Sequence, residues 1–495
     1  MSDTNLAKCA CQSCGIHLEF PIELDGSTID CPGCKQPTTL TIPQAEPLSL
    51  TIDDVTAAFN GRVSKTRTSF LYQVGLMFVT IAMLILPVIY VALIFAAGFG
   101  VWLWATHCTG LITGAHGRAV ILGFLLYITP LLAGAVVVLF MIKPLFARRP
   151  KAAQPLALNP GAEPLLYMFI TRICEAVGAP APKRIDLDCH LNASAGFRRG
   201  ALSLFGKDLV LTLGLPLIAG LNTRQFAGVV AHEFGHFTQG FGMRLTYIIR
   251  SVNGWFSRVV YQRDAWDVML EEWAEEAQDG RIALVVAGIR LSVWCSRLVL
   301  KILMFIGHGI GCFMLKQMEY DADTYQIKLA GSDVFEQTAK RLHVLGNLLE
   351  RTYKDLRPGW NSSRQLPDNF CAYLMRHETE MRPDQRTQLE DTLGLEASGV
   401  FDTHPSWGDR IRCARRANEP GIFHLEMPAT SLFTNFEVPA KHVTALHYVE
   451  DMGIPEPLIN YVPVRSTAAE TEPVEPIESK PIPGPIKLKL NTSKN

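Results

Sequence analysis

The sequence predicts a mainly α-helical protein with a small β-sheet, in which a small cysteine-rich module, a transmembrane helical hairpin and a larger α+β domain follow one another. Three observations predict this: two long uncharged apolar runs, two tight cysteine pairs near the N-terminus, and helical periodicity with mixed charge over the remainder. Of 495 residues, 48% are hydrophobic and only 19% are charged, which indicates a membrane component. The net charge of -1 provides no overall field for nucleic acid.

Two apolar runs are long enough to cross a bilayer. Residues 68–117 contain no Asp, Glu, Lys or Arg, and a second uncharged run covers 119–142. A helix needs about 20 such residues to cross about 30 Å of hydrocarbon. Basic residues flank the outer ends of the pair, so the positive-inside rule predicts that the N-terminus and the following domain are cytoplasmic. The alternative is a pair of buried core helices, although such runs are rare in soluble folds.

The sequence does not decide whether residues 241–316 form a second membrane-associated hairpin. The apolar stretch 282–315 carries three basic residues whose spacings of seven and four place them on one helical face, namely Arg290, Arg297 and Lys301. This pattern fits an amphipathic helix or one half of a hairpin. Three arginines interrupt the other half, 241–260, namely Arg244, Arg250 and Arg258. Cations inside a membrane are costly unless they are paired or reach the interface.

The N-terminal cysteines have the spacing of a structural zinc site. Two C-x-x-C pairs are separated by sixteen residues, and their members are Cys11, Cys14, Cys31 and Cys34. Four thiolates at such spacing typically hold one zinc ion in a zinc ribbon. Two disulfides or free thiols are the alternative, which a cytoplasmic location disfavours.

The charge of this module argues against nucleic acid as a partner. Residues 1–50 hold two Lys, no Arg and six Asp or Glu, whereas binding to phosphates needs positive charge. We therefore expect no nucleic-acid partner and predict a protein-docking or purely stabilising role for the module. Cys9 is interpreted as a bystander.

The central motif is His232-Glu233-Phe234-Gly235-His236. An HExxH on a helix places two imidazoles one turn apart on one face, so both can bind a single zinc ion. The glutamate between them can take a proton from the attacking water. Chance occurrence is the alternative, because the bare motif is short. Catalytic zinc also needs a third protein ligand.

Two carboxylates downstream offer that ligand. Glu319 and Asp323 are four residues apart and share a helical face. Glu319 could be the third ligand, and Asp323 could hydrogen-bond a ligand histidine and fix its tautomer. By spacing alone, a solvated acidic helix face that includes Asp321 is the stronger interpretation.

The motifs together resemble the HtpX and CAAX-prenyl-protease family of integral-membrane zinc metallopeptidases. The HExxH is followed about eighty residues later by Glu-Tyr-Asp-Ala-Asp at 319–323. Upstream, residues 192–196 look like the family's edge strand and 208–215 like the strand and turn before its catalytic helix. Downstream, 403–406 with Arg410 resembles its Thr-His-Pro segment. The resemblance covers about residues 155–415 in the family's order, after two apolar spans as in the family.

The resemblance implies a role for each matching residue. The family's two histidines and glutamate bind zinc and match His232, His236 and Glu319, while its general base matches Glu233. Its acidic residue four positions after the third ligand matches Asp323. This chain has Phe234 where the family usually has Leu, a change that should matter little in an apolar helix.

Four further residues are implied near the substrate and the metal. Asn192 and Ala193 fall where the family's edge strand pairs with the substrate backbone. His404 and Arg410 fall near the metal, and we expect His404 to hold the oxyanion of the tetrahedral intermediate. The alternative for His404 is a helix-start histidine before Pro405.

Combining the patterns divides the chain into five segments. They are a zinc ribbon, a linker, the transmembrane hairpin, a zincin-type α+β metallopeptidase domain and a disordered tail, at 1–45, 46–68, 69–143, 144–460 and 461–495 respectively. The expected cofactors are one catalytic and one structural Zn²⁺. The expected location is a multi-pass protein of the cell or inner membrane with its zinc ribbon and catalytic domain in the cytoplasm.

The sequence thus predicts a membrane-bound zinc endopeptidase. Its expected partners are protein or peptide substrates and the lipid bilayer. A CAAX-type substrate is implied by the resemblance, and general quality control of membrane or misfolded proteins is an equal candidate. The alternative functions are a non-catalytic membrane scaffold or adaptor that recruits partners through the ribbon, and a nucleic-acid protein at the membrane, which the acidic module disfavours.

Overall fold

The computed structural model is mainly helical with small sheets, as the sequence predicts. It describes residues 6–11, 13–14, 16–21, 27–40, 50–64, 70–113, 117, 119–146, 154–197, 208–238, 241–261, 265–276, 280–393, 398 and 404–464. The chain forms two compact units, Met1–Asp54 and Val55–Asn495. The division falls inside the predicted linker, 46–68.

The first unit contains two antiparallel hairpins, which together bring the cysteine pairs onto turns. Strands β1 (Leu6–Ala10) and β2 (His17–Pro21) pair with each other, as do β3 (Thr28–Asp30) and β4 (Pro37–Thr39). A small core of cysteine and apolar side chains fills the unit, namely Cys9, Cys11, Leu18, Phe20, Cys31 and Leu40. So small a core cannot supply much stability by itself, and a metal would contribute the rest.

Part of the predicted linker belongs to the second unit. Helix α1 (Ile52–Ala57) is followed by Phe59, whose ring centroid lies 4.6 Å from that of Phe423. The Val63 N–H donates to the Ala176 carbonyl at 3.0 Å. Phe59 and Val63 are therefore part of the fold of the second unit.

Three helical stretches among the described residues are long and apolar enough to cross a membrane. They are Phe70–Thr113, Val120–Phe146 and Val286–Ala330. The first two contain α2 (Phe70–His107), the short α3 (Gly110–Thr113) and α4 (Ala119–Ile142), and they coincide with the two apolar runs of the sequence.

The third stretch lies on α10, an unbroken helix from Gly280 to Ala330. Its 51 residues extend for roughly 75 Å, more than twice the thickness of a hydrocarbon core. One helix therefore carries both the apolar stretch 282–315 and the acidic motif at 319–323. Helix α8 (Phe241–Tyr261), the other half of the open hairpin, is not among the three candidate spans.

Helices α2, α4, α8 and α10 pack around one apolar cluster. Its buried members include Met83 and Tyr90 of α2, Met141 of α4, Phe256 of α8 and Leu300 of α10. The Tyr90 hydroxyl donates to the Met141 carbonyl at 2.7 Å, which satisfies a buried polar group inside the cluster. The outer faces expose large apolar side chains, among them Phe70, Phe95, Leu122 and Phe313. Such a surface is typical of contact with lipid.

A four-stranded sheet lies beside α7 (Thr223–Thr238), the helix that carries the HExxH motif. Its order is β5-β6-β8-β7, with β6 and β8 parallel and the other pairs antiparallel. Strand β7 is at the edge. The bounds are Leu156–Ala157 for β5, Arg184–Asp188 for β6, Ala193–Phe197 for β7 and Leu209–Gly214 for β8.

Gly214 fixes the connection that leads into the edge strand. A Cβ at this position would lie 1.7 Å from the His190 carbonyl oxygen, so no other residue fits without a shift of the backbone. The Gly214 N–H donates to the Asn192 carbonyl at 2.8 Å. The turn before β7 is therefore held directly against the end of β8.

The remaining described α-helices and strands complete the helical body. They are α5 (Pro164–Val177), α6 (Leu215–Gly220), α7 (Thr223–Thr238), α9 (Ala265–Glu276), α11 (Ser332–Ser363), β9 (Gln365–Pro367), α12 (Phe370–Thr379), α13 (Pro383–Leu393), α14 (Trp407–Ala417), α15 (Glu437–Leu446) and β10 (Asn460–Val462). Strand β10 pairs in parallel with β9, so the predicted disordered tail begins too early at 461. Residues 465–495 of that tail lie outside the described residues.

Candidate active site

The HExxH motif lies on α7, as its spacing predicts. The helix begins with a reciprocal cap: the Gln225 N–H donates to Oδ1 of Asn222 at 2.8 Å, and the Asn222 N–H donates to Oε1 of Gln225 at 3.2 Å. Apolar side chains at Phe226, Val230 and Phe234 are fully buried. Burial of this face turns His232, Glu233 and His236 toward one side of the helix.

His232, His236 and Glu319 converge on one point. Nε2 of His232 lies 3.4 Å from Oε2 of Glu319, and Nε2 of His236 lies 3.9 Å from Oε1 of the same carboxylate. The ligands of a tetrahedral zinc ion, each about 2.0–2.1 Å from the metal, lie roughly 3.3 Å apart. The three side chains therefore fit a zinc ion and leave a fourth position open. They form one of two groups of possible metal ligands among the described residues.

Two glycines let α7 and α10 approach closely enough for the Glu319 carboxylate to lie beside the two histidines. A Cβ at Gly228 would lie 3.1 Å from the Cβ of Ala330, and one at Gly235 would lie 3.3 Å from the Cα of Ala322. Gly235 is the fourth residue of the HExxH motif itself. Larger residues at these positions would separate the helix with the two histidines from the helix with Glu319.

Asp323 connects His232 to an arginine. Its Oδ1 lies 3.0 Å from Nδ1 of His232, so Nε2 of the same ring faces Glu319. Arg410 of α14 donates to both carboxylate oxygens of Asp323, at 2.8 Å and 2.5 Å. The guanidinium of Arg410 lies 4.2 Å from the ring centroid of Trp407. These contacts hold the carboxylate and, through it, the imidazole.

The interpretation of the acidic motif as a solvated helix face is wrong. Glu319 is 4% exposed and Asp323 is 2% exposed. Carboxylates are almost never buried to this extent unless they are paired or bind metal, and both have cationic or imidazole partners here.

Burial and neighbouring charges shift the pKa values of the two motif histidines in opposite directions. Burial by itself disfavours the charged form of His232, but the carboxylates of Asp323 and Glu319 outweigh it and raise the pKa of His232 to about 9. Burial, then the positive charges of His232 and Arg250, lower the pKa of His236 to about 3. Binding of zinc requires both imidazoles in the neutral form, so the ion would have to displace a proton from His232 but not from His236.

Glu233 lies in a setting that suits proton transfer. Burial raises the pKa of its carboxyl, and the nearby Glu319 charge acts in the same direction. A raised pKa brings a carboxyl closer to the pH at which it can both accept and return a proton. The backbone N–H of Ala195, on the edge strand, hydrogen-bonds the carboxylate and opposes this shift.

The other predicted site residues lie around the same point. Nδ1 of His404 is 3.5 Å from Oε1 of Glu319, and the side chain is 60% exposed. The residue before it, Thr403, lies outside the described residues. Asn192 and Ala193 stand at the start of the edge strand and line a cavity of about 180 Å³ with His232, Glu233 and Arg410. The fold thus brings together every residue predicted for this site.

A larger cleft opens on the other side of Glu233. It has a volume of about 490 Å³ and lies between the edge strand β7 and helix α8, next to His236. Arg250 of α8 lines it and donates to Oε1 of Glu319 at 2.7 Å. The sequence does not reveal this contact with Glu319. An arginine within an apolar helix indicates only an interruption of a possible span.

The four ribbon cysteines also form a ligand cluster. Sγ of Cys11 lies 3.7 Å from Sγ of Cys34, and Sγ of Cys14 lies 3.6 Å from Sγ of Cys31. Four thiolates about 2.3 Å from a tetrahedral zinc ion would lie about 3.8 Å apart, so the residues fit that metal. These Sγ atoms are too far apart for disulfide bonds in this structure.

Comparison with known protein families gives one match. The model of peptidase family M48 matches residues 162–418, just over half of the chain. The matched range contains the edge strand, the HExxH helix, Glu319, Asp323 and Arg410. No curated protein and no solved structure matched the chain.

Proposed function

We propose that this chain, which belongs to peptidase family M48 and is therefore a metallopeptidase, is a membrane-bound zinc endopeptidase. It would cleave membrane or misfolded proteins at the cytoplasmic face. The observation that carries the proposal is the convergence of two imidazoles and one carboxylate beside Glu233. Members of the family depend on a metal, typically zinc.

The chemistry is divided among the side chains around the metal position. When bound, zinc supplies Lewis-acid activation of water and of the scissile carbonyl. Glu233 takes the proton from the attacking water and returns it to the leaving amine. Asp323 lies 3.0 Å from Nδ1 of His232, so Nε2 is the nitrogen that would bind the ion. His404 donates to the oxyanion of the tetrahedral intermediate.

The edge strand supports an extended peptide as substrate. β7 pairs with β8 on one side only, and the Ala195 N–H on its other side points to Glu233. An unpaired edge can add a substrate strand by backbone hydrogen bonds, which do not depend on the substrate's side chains. Such binding suits cleavage within a chain.

The continuity of α10 supports action close to a membrane. Glu319 is six residues from Phe313, whose side chain is 67% exposed within the third candidate span. Six residues correspond to about 9 Å along a helix. The basic residues that flank the first two spans support a cytoplasmic orientation.

The test is cleavage by the Glu233→Gln variant in membranes or detergent. We expect proteolysis of an unfolded or membrane-protein substrate to fall by at least about a hundredfold, because the proton acceptor is lost. Zinc content should be retained, since no ligand changes. Glu350→Gln, the same change on an exposed surface of α11, serves as the matched control and should cleave like the wild type.

The same variant separates the peptidase from the scaffold. Proteomes of cells with wild-type protein and with Glu233→Gln are compared for membrane proteins that accumulate or remain bound. Accumulation in the variant supports the peptidase and identifies its substrate class. An unchanged cellular phenotype and proteome would favour the non-catalytic scaffold.

A further inference from the structure

The cleft between β7 and α8 has walls that are fixed relative to each other. The ring centroid of Phe197, at the end of β7, lies 5.9 Å from that of Tyr247 on α8 and 5.8 Å from that of Phe237 after the HExxH motif. These aromatic contacts join the edge strand, the motif helix and α8. A side chain on α8 therefore stands at a defined position along the edge strand.

Two glycines on opposite walls leave room in the cleft. A Cβ at Gly196 of β7 or at Gly254 of α8 would meet no heavy atom within 4 Å. Neither position has the positive φ that favours glycine. A glycine inside a strand or a helix weakens that element, and in a strand it often marks the close approach of another backbone. The space opposite both residues is available to a substrate.

The charges that line the cleft are mostly positive. Its lining contains two arginines, Arg250 and Arg258, and one carboxylate, Glu233. Arg250 is paired with Glu319. Arg258 is half-buried and has no ion-pair partner among the residues that the structure describes. A half-buried guanidinium without a counter-charge is costly, and a carboxylate that binds it with two hydrogen bonds offsets that cost.

The spacing of the two arginines defines where such a carboxylate would be. Arg250 and Arg258 are eight residues apart on one helix, which corresponds to about 12 Å. Arg250 stands at the catalytic end, because it contacts Glu319. An extended peptide advances about 3.3 Å per residue, so Arg258 faces a substrate residue roughly three or four positions from the scissile bond.

We propose that Arg258 determines specificity, and that the cleft prefers peptides with an acidic side chain three or four residues from the cleaved bond. The inference rests on the proposed peptidase function and adds a substrate class to it. The planar guanidinium of arginine suits a carboxylate better than a neutral amide of the same shape, so Asp should be selected over Asn.

Cleavage of a peptide series tests the preference. Zinc-loaded full-length protein in detergent is incubated with a series of otherwise uncharged peptides. Each peptide carries a single Asp, or a single Asn, at a different position around the cleaved bond. We expect kcat/KM to be about tenfold higher for Asp than for Asn at the third or fourth position on one side. Arg258→Gln should reduce that ratio to near one, and Arg258→Glu should transfer the preference to Lys.

The control for charge is Arg290→Gln, on an exposed part of α10 that does not line the cleft. This variant should keep the wild-type ratio. An Asp-to-Asn ratio near one at every position, or a ratio that is unchanged in Arg258→Gln, would overturn the inference while cleavage itself still supports the peptidase.

A binding measurement separates the two proposals. Zinc-loaded Glu233→Gln is titrated with labelled Asp and Asn peptides, and binding is followed by fluorescence anisotropy. Binding of the Asp peptide about tenfold more tightly, with loss of this difference when Arg258→Gln is added, supports the inference even if the wild type cleaves nothing. Equal affinity for the two peptides contradicts it.

Discussion

At the scale of single residues, the orientation of His232 depends on Asp323. The carboxylate of Asp323 faces Nδ1 of His232 and accepts two hydrogen bonds from Arg410. It is 2% exposed, so solvent does not replace these contacts. One buried carboxylate thus selects which imidazole nitrogen faces Glu319.

Replacement of Asp323 tests this dependence. For Asp323→Asn we expect affinity for the catalytic zinc to fall by roughly 10- to 100-fold, because the imidazole loses its charged acceptor. Competition with a chelator, followed by metal analysis, measures the affinity. Asp321→Asn on the same helix is the control. Equal zinc affinity in the two variants would contradict the role assigned to Asp323.

His404 is the residue whose predicted role most needs a kinetic test. We expect His404→Ala to lower kcat by about two orders of magnitude with little change in KM, because a donor to the oxyanion acts mainly in the transition state. Zinc content should not change. A kcat close to that of the wild type would restore the alternative, a histidine that only precedes a helix.

At the scale of secondary-structure elements, the edge strand and the motif helix are held by close backbone contacts. Gly214 keeps the turn before β7 against β8, while Gly228 and Gly235 allow α7 to approach α10. Each contact joins segments that are distant in the chain or that belong to different elements. The positions of the edge strand and of Glu319 therefore depend on where glycine occurs.

The turn at Gly214 gives a prediction on stability. Gly214→Ala should lower the free energy of unfolding by about 3 kcal/mol, because the new Cβ would overlap the His190 carbonyl. Thermal unfolding in detergent measures the change. Gly196→Ala is the matched control, since its Cβ meets nothing within 4 Å, and its midpoint should stay near that of the wild type. Similar midpoints for both variants would show that the turn can relax.

At the scale of the whole molecule, α10 joins the apolar helical bundle to the candidate active site. The same helix contributes Leu300 to the apolar bundle and Glu319 to the ligand set. A helix packed along its length is stiff, so the metal position is tied to the bundle. The first unit, Met1–Asp54, has its own small core and its own ligand cluster.

The independence of the two metal positions can be measured. For Cys31→Ser we expect bound zinc to fall from two ions to one per chain, because one of four thiolates is lost and the ribbon depends on its metal. Peptide cleavage should be retained, since the catalytic ligands lie in Val55–Asn495. Loss of both metals, or of all cleavage, would show that the ribbon is required by the catalytic unit.

The sequence by itself determined what depends on short spacings and on composition. The i, i+4 spacing of His232 and His236, the paired cysteines, and the two apolar runs are local patterns, so helix and turn geometry is enough to interpret them. The third ligand was different. Spacing favoured a solvated face for Glu319, and only the family resemblance singled it out.

Tertiary structure alone decided which distant side chains meet. Arg410 reaches Asp323 across 87 residues, and Arg250 reaches Glu319 across 69. Packing of α14 and α8 against α10 creates these contacts, and no periodicity within one segment encodes the relative position of two segments. The physical reason is that burial of an apolar face specifies that a helix packs, but the shapes of both surfaces specify where.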